Sequence, residues 1–151
     1  MRYWIIGILF LLADQFSKYM VRLNLALGES VQVIGDFFRI TYVQNTGAAF
    51  NSLAGYRGVL ILLPVIFIIV CTLYILKHRE EHWTFYTAMT LIISGGVGNL
   101  ADRSFMGYVT DMFDFSIFPP VFNVADIGIT CGCVLLVFSI LLEEKLNKNN
   151  G

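Results

Sequence analysis

Asn99, Asp102, Asp111, Asp114, Asn123 and Asp126 crowd into one stretch of an otherwise apolar chain. Carboxylates gathered in this way can do one kind of chemistry well. Two of them side by side cannot both ionise, so they share a proton. The ionised member can then activate a water while the protonated one delivers a proton to a leaving group. Other chemistries lack their parts. A Ser/His/Asp arrangement or a zinc site needs histidine, and His78 and His82 lie in a separate stretch. Cys131 and Cys133 have no His or further Cys beside them to complete a metal set. No metal or organic cofactor is expected.

Each residue also has an ordinary structural reading. Asp14 and Lys18 are four apart, so they share a helix face and can pair, lowering the cost of each charge. Asn45-Thr46-Gly47-Ala48-Ala49-Phe50 reads by itself as a turn, with small residues that let a backbone approach closely. Asn99, Asp102 and Arg103 are spaced i, i+3, i+4 and line one helix face, and Ser94, Gly95 and Gly98 just before them allow close helix packing. Pro119-Pro120 should end a loop and start a helix. Asp126 would then lie in the first turn, where a carboxylate caps the backbone and suits the helix dipole.

The elements that position these residues follow from composition. Of 151 residues, 57% are hydrophobic and 14% charged, against about 25% charged in soluble domains. Mean hydropathy is +0.72. A soluble enzyme would lack the polar residues to cover its surface, and disorder is excluded by the same numbers. A net charge of −1 with no basic block gives nucleic acid no purchase. The apolar runs predict four transmembrane helices at about 3–21, 58–76, 83–101 and 123–142. The first resembles a signal peptide, but no A-x-A site follows it and Asp14 intrudes, so it is expected to be retained. Discounting Lys18 and Arg103, which sit beside carboxylates, the remaining Lys and Arg favour Arg2, Lys77, Arg79, Lys145 and Lys148 on the cytoplasmic side, with both termini there. Between the first two spans, Ser30–Val33 and Phe38–Val43 alternate apolar and polar residues around Gly35-Asp36, which predicts two strands and a turn. Cys71, Cys131 and Cys133 read as free thiols. The expected fold is an all-α polytopic membrane protein, one domain over 1–151, with a small extracytoplasmic β-sheet within about 28–50.

Charged residues inside membrane helices cost about 2.5–3.5 kcal/mol or more, so each is a functional hypothesis. Their order here is informative. Asp14-Gln15-Phe16-Ser17-Lys18, Asn45-x-Gly47-Ala48-Ala49-Phe50, Gly98-Asn99-x-x-Asp102-Arg103, Val109-Thr110-Asp111 and Phe122-Asn123-x-Ala125-Asp126 resemble the successive signature blocks of the lipoprotein signal peptidases, also called signal peptidase II. The resemblance runs from Asp14 to Asp126.

It implies a bacterial inner- or plasma-membrane aspartic endopeptidase. Such enzymes remove the signal peptide from prolipoproteins, cutting before a Cys that carries diacylglycerol. It also implies four spans, cytoplasmic termini and a β-cradle on the outer membrane surface. By motif, Asp111 and Asp126 match the catalytic pair. Asn45, Gly47, Asn99, Asp102, Arg103 and Asn123 match the shell around it, and Asp14 and Lys18 a supporting block. The chain departs from the family's usual Val-Val-Asp-Phe by carrying Thr110 and an additional Asp114. Asp111 is preferred because it follows Arg103 by eight residues and comes after the Gly107-Tyr108-Val109 run with only Thr110 between.

The expected partners are diacylated prolipoproteins and membrane lipids, and the enzyme is expected to be monomeric. The helix start favours Asp126 as the ionised partner and Asp111 as the proton carrier, with Asn45 or Asn123 donating to the developing oxyanion. The rival readings are a non-enzymatic membrane scaffold, which would not need charged residues at such cost, and a small transporter with a carboxylate relay. It should show repeat-like halves and polar residues near the bilayer midplane, whereas the halves are dissimilar and the polar residues gather at one end of the spans.

Overall fold

The computed structural model describes residues 2–47, 52–53, 55–77 and 82–150. Ala48, Ala49, Phe50, His78 and Arg79 therefore lie outside the described residues. The element order is α1 (Arg2–Asn24), β1 (Ser30–Ile34), β2 (Phe38–Asn45), α2 (Arg57–Lys77), α3 (Trp83–Phe105), β3 (Val109–Phe115), β4 (Phe118–Phe122) and α4 (Val124–Asn150).

Among the described residues, three stretches are long and apolar enough to cross a membrane: Tyr3–Asn24, Arg57–Lys77 and Val124–Leu142. They turn large apolar side chains outward, among them Ile8, Leu9, Leu12, Phe67, Val70, Val134 and Val137. The expected third span coincides with α3, which is not apolar enough to qualify by composition. The reason is its position. α3 packs against α1, α2 and α4, so its surface faces protein, and it can carry buried Thr84, Thr90, Ser94, Asn99 and Asp102. Its 23 residues extend roughly 35 Å at ~1.5 Å each.

Two contacts hold this bundle close. Gly95 lies where a Cβ would stand 2.5 Å from the Ala125 carbonyl oxygen, so its lack of a side chain lets α3 and α4 touch backbone to backbone. At the other end, Cys71 and Ile75 of α2 pack with Phe85, Met89 and Ile93 of α3. All three cysteines are free thiols.

The sheet is antiparallel in the order β1-β2-β3-β4. The two strands expected around Gly35-Asp36 are present. The stretch expected to be a loop before the last helix is instead the hairpin β3–β4, so the sheet extends well beyond residues 28–50. Pro119 and Pro120 do not start a helix. They lie within β4, an edge strand, where a missing N–H costs no ladder bond on the open side. Stacked rings join the strands: Phe38 on Phe115 at 4.5 Å and Phe115 on Phe122 at 5.8 Å. Val21 of α1 packs with Tyr42 and Met112, seating the sheet on the helices.

Gly95→Ala forces its methyl against a backbone oxygen that cannot move aside, and should destabilise the detergent-solubilised protein by about 1–3 kcal/mol. Gly96→Ala, whose Cβ would meet only Ile68 at 3.5 Å, should leave the Tm unchanged or slightly raised. Thermal melts of the two neighbours decide this, and equal melting points would contradict the close α3–α4 approach.

Candidate active site

Asp14 and Lys18 of α1 meet α3 in the protein interior. Lys18 is fully buried, with Nζ 2.9 Å from Asp14 Oδ2 and 3.4 Å from Asp102 Oδ2. It also donates to Asn99 Oδ1 at 2.9 Å. Its three hydrogens thus have three acceptors. The anticipated Asp14–Lys18 pair is present, and Asp102 adds a second carboxylate to the same cation.

The two carboxylates reach onward to backbone. Asp14 Oδ1 accepts from Ala125 N at 2.8 Å, and Asp102 Oδ2 accepts from Thr110 N at 3.0 Å. The first bond satisfies an orphan N–H at the start of α4, and the second fixes β3 one residue before Asp111. Gln15 Nε2 lies within reach of Asp14 Oδ2, the Gly98 carbonyl and Asp102 Oδ1 at 3.0, 3.1 and 3.3 Å. Sequence reasoning assigned Gln15 no role, and its place beside Asp14 was the available signal.

Asp126 sits in the first turn of α4, as its position after the prolines suggested. Asn123 is the N-cap. Its Oδ1 accepts from Asp126 N at 3.0 Å, and Asp126 Oδ2 accepts from Asn123 N at 3.2 Å. This reciprocal exchange is a capping box. Asp126 Oδ1 accepts from Asn99 Nδ2 at 2.8 Å. The capping reading and the functional reading of Asp126 are therefore compatible: one carboxylate has both surroundings.

Asp111 lies on β3, 2% exposed. Asn45 is paired with Val109 across the β2–β3 ladder, so Asp111 is its diagonal neighbour on the same face. Asn45 Nδ2 donates to Asp111 Oδ2 at 3.1 Å, and Asn123 Nδ2 donates to Asp111 Oδ1 at 2.6 Å. Asn123 thus touches both carboxylates, donating its side chain to Asp111 and its backbone N–H to Asp126. Burial pushes the Asp111 carboxyl up to about 6; the Asn123 and Asn45 hydrogen bonds oppose this and the Asp126 charge adds to it. Such a group exchanges its proton close to neutral pH.

Asp111 and Asp126 line one cavity of about 590 Å³ with Asn45, Asn99 and Arg103 at its polar end. Phe115, Ile117, Phe118, Val121 and Phe122 of the hairpin form an apolar wall, with Ile127 and Ile129 of α4 opposite. Arg103 Nη2 donates to the Gly47 carbonyl at 2.7 Å, while its buried Nε has no partner among the described residues. Gly47 also donates its N–H to Asn45 Oδ1 at 3.0 Å.

Asp114 stands apart from this group. It pairs with Arg39 at 3.0 Å and accepts from Thr41 Oγ1 at 2.8 Å. Three residues from Asp111 along a strand, it faces the other side of the sheet. The structure therefore gathers Asp14, Lys18, Asn45, Gly47, Asn99, Asp102, Arg103, Asp111, Asn123 and Asp126, and leaves Asp114 in a cross-strand ion pair. His82 caps the opposite end of α3.

Comparison with known proteins points to a single family. The family model described as signal peptidase (SPase) II matches residues 6–142. A lipoprotein signal peptidase of Halothermothrix orenii is 40% identical, over 95% of this chain and 97% of its own length. One from Desulfitobacterium hafniense is 42% identical over 94% of each chain. A solved bacterial membrane enzyme superposes with a TM-score of 0.90 at 31% identity, covering 97% of this chain and 91% of its own. A second superposes with a TM-score of 0.85 at 30% identity, covering 93% of this chain and 92% of its own.

The raised Asp111 carboxyl has a consequence for stability. An unfolded Asp ionises near ~3.9, and this one near about 6, so the folded state binds the proton more tightly. The resulting penalty is absent below both values, grows between them and is complete above the folded one, reaching about 3 kcal/mol. Asp111→Asn removes the titration. Its Tm relative to the unaltered protein should therefore move in the variant's favour from pH 4 to pH 7, whatever the offset at pH 4. A difference independent of pH would show that Asp111 does not titrate in this range.

Proposed function

This chain belongs to the signal peptidase II family, and from that premise we propose that it is an aspartic endopeptidase whose catalytic pair is Asp111 and Asp126. The proposed substrate is a diacylglyceryl-modified prolipoprotein, cut before its lipidated Cys. The observation that carries the reading is the pair itself: two carboxylates on one cavity, tied together through Asn123.

In this reaction Asp126, ionised, takes a proton from a water held between the two carboxylates. The water oxygen bonds to the scissile carbonyl carbon, and Asp111 gives its proton to the leaving amine as the C–N bond breaks. The products are a signal peptide with a free carboxylate and a lipoprotein with a free amine on its Cys. Asp111 is suited to carry the proton because burial holds its carboxyl near about 6. The amides of Asn45 and Asn123 already donate to Asp111. The unpartnered Nε of Arg103 is therefore the better candidate to receive a substrate carbonyl or the developing oxyanion. A polar end beside an apolar wall fits a peptide bond adjoining acyl chains.

The whole chain is read as one peptidase domain, acting as a monomer in the bacterial plasma membrane among its lipids. α3 is read as the fourth span, its polar residues shielded by its neighbours. The sheet and the site are placed at the extracytoplasmic face. Support comes from how the cations are used. Arg22 donates to Thr110 Oγ1 and Arg57 to the Ser104 carbonyl, and Arg39 is paired with Asp114. The positive charges at the sheet end thus serve the fold, and Lys77 lies at the other end of α2.

With a diacylated prolipoprotein as substrate, Asp111→Asn and Asp126→Asn should each abolish signal-peptide release. The double variant should be no worse than either, because the two act as one unit. Asp114→Asn should keep most activity. Loss at Asp114 with retention at Asp111 would reassign the pair. The orientation has its own test. In intact cells, with the three native cysteines replaced, a cysteine at Asp36 should react with an impermeant reagent and one at Lys77 should not. The reverse pattern would invert the topology.

A further inference from the structure

We propose that Asn45, Asn99 and Asn123 are positioning residues whose amides are locked by donor-only groups behind them, so that each can turn only N–H toward the two carboxylates. This rests on the reading of Asp111 and Asp126 as the catalytic pair.

An amide side chain has an acceptor edge and a donor edge, and a flip exchanges them. In each of the three, the edge away from the pair meets a group that has no acceptor to offer. Asn99 Oδ1 takes a hydrogen from Lys18 Nζ at 2.9 Å, so Nδ2 must face Asp126 Oδ1. Asn123 Oδ1 takes the backbone N–H of Asp126 at 3.0 Å, so Nδ2 must face Asp111 Oδ1. Asn45 Oδ1 takes the backbone N–H of Gly47 at 3.0 Å, so Nδ2 must face Asp111 Oδ2. A flipped amide would set its oxygen against a carboxylate and its N–H2 against a donor, losing two hydrogen bonds and creating two repulsions.

With Asn123 N on Asp126 Oδ2, every oxygen of the pair receives one N–H from behind. The lone pairs left over point into the cavity. The single proton of the pair is thereby excluded from the rear of either carboxylate and held on the side where a water or a leaving amine would stand. Lys18, too distant in role to be an acid or base here, acts through Asn99 as the lock on Asp126.

Asn→Asp at the three positions separates this from a merely structural role. Aspartate has the same shape and keeps an oxygen for Lys18, Gly47 N or Asp126 N, and it is as good an N-cap as Asn. Only the edge facing the pair changes, from donor to acceptor. The expected result is a protein that still folds, with a Tm lowered by the added like charge, and at least a ~10-fold loss in kcat of the folded protein.

The pH profiles should move in a defined way. Asn99→Asp should lower kcat by turning an acceptor toward Asp126 Oδ1. Asn45→Asp and Asn123→Asp should carry the alkaline limb, set by Asp111, to higher pH. The other charged groups facing the pair are Lys18 and Asp14 from α1 and Asp102 and Arg103 from α3, and all are common to the variants.

A folded variant with unchanged kcat and profile would overturn the lock at that residue. Should Asn99→Asp or Asn123→Asp fail to fold, Asn45→Asp decides, since its lock is a local turn outside the helix interfaces. Asp111→Asn and Asp126→Asn belong in the same assay. Activity surviving in either would refute the catalytic pair, whereas their loss together with fully active Asn→Asp variants would refute the lock alone.

Discussion

The structure depends on one buried cation. Lys18 has no exposed surface and is held by two carboxylates and one amide oxygen, which come from α1 and α3. Removing an ammonium group from water costs several kcal/mol unless its hydrogens are all satisfied. Here they are, and so the three acceptors must stay where they are. Asp14 then places the start of α4 through Ala125 N, and Asp102 places β3 through Thr110 N. The separation of Asp111 from Asp126, one on a strand and one on a helix, is thus set by two carboxylates that stand behind them.

The sheet has a comparable double function. Its β2–β3 ladder brings Asn45 to the diagonal of Asp111, and its β3–β4 hairpin supplies the apolar wall of the cavity. Arg39, Thr41 and Asp114 stabilise the opposite face, with Thr41 Oγ1 also 2.8 Å from Ser30 Oγ. Two aspartates three residues apart thereby serve different purposes. Alternation along the strand separates them, and no difference in their local sequence chemistry is needed.

Local spacing made much of this legible. The i, i+4 interval of Asp14 and Lys18, the first-turn position of Asp126 and the alternation in β1 and β2 are short-range signals, and each has its counterpart in the structure. The hairpin was illegible because Pro119 and Pro120 suit a helix start as well as an edge strand, and only the sheet order distinguishes the two. The position of α3 at the centre was illegible for a related reason. Hydropathy measures how much of a helix faces lipid, and a helix wrapped by three others faces little. The Lys18–Asp102 contact joins residues far apart in sequence, and the orientation of the three amides is a property of the assembled network. Neither leaves a trace in any one segment.

The order in which these partners leave the ribosome matters for the cell. The Asp14–Lys18 pair lies within a single helix, so α1 can enter the bilayer with its two charges already matched. Asn99 and Asp102 arrive much later, and the N-terminal turn of α4 later still. Until that turn docks, Asp14 lacks its contact with Ala125 N, Asn99 lacks its contact with Asp126, and Asp111 has Asn45 but not Asn123. A nascent chain stalled before residue 126 would lack one of the two carboxylates that line the cavity. The polar end of the cavity, which needs Asn99, Arg103, Asp111 and Asp126 together, is therefore completed only when the last helix has been made.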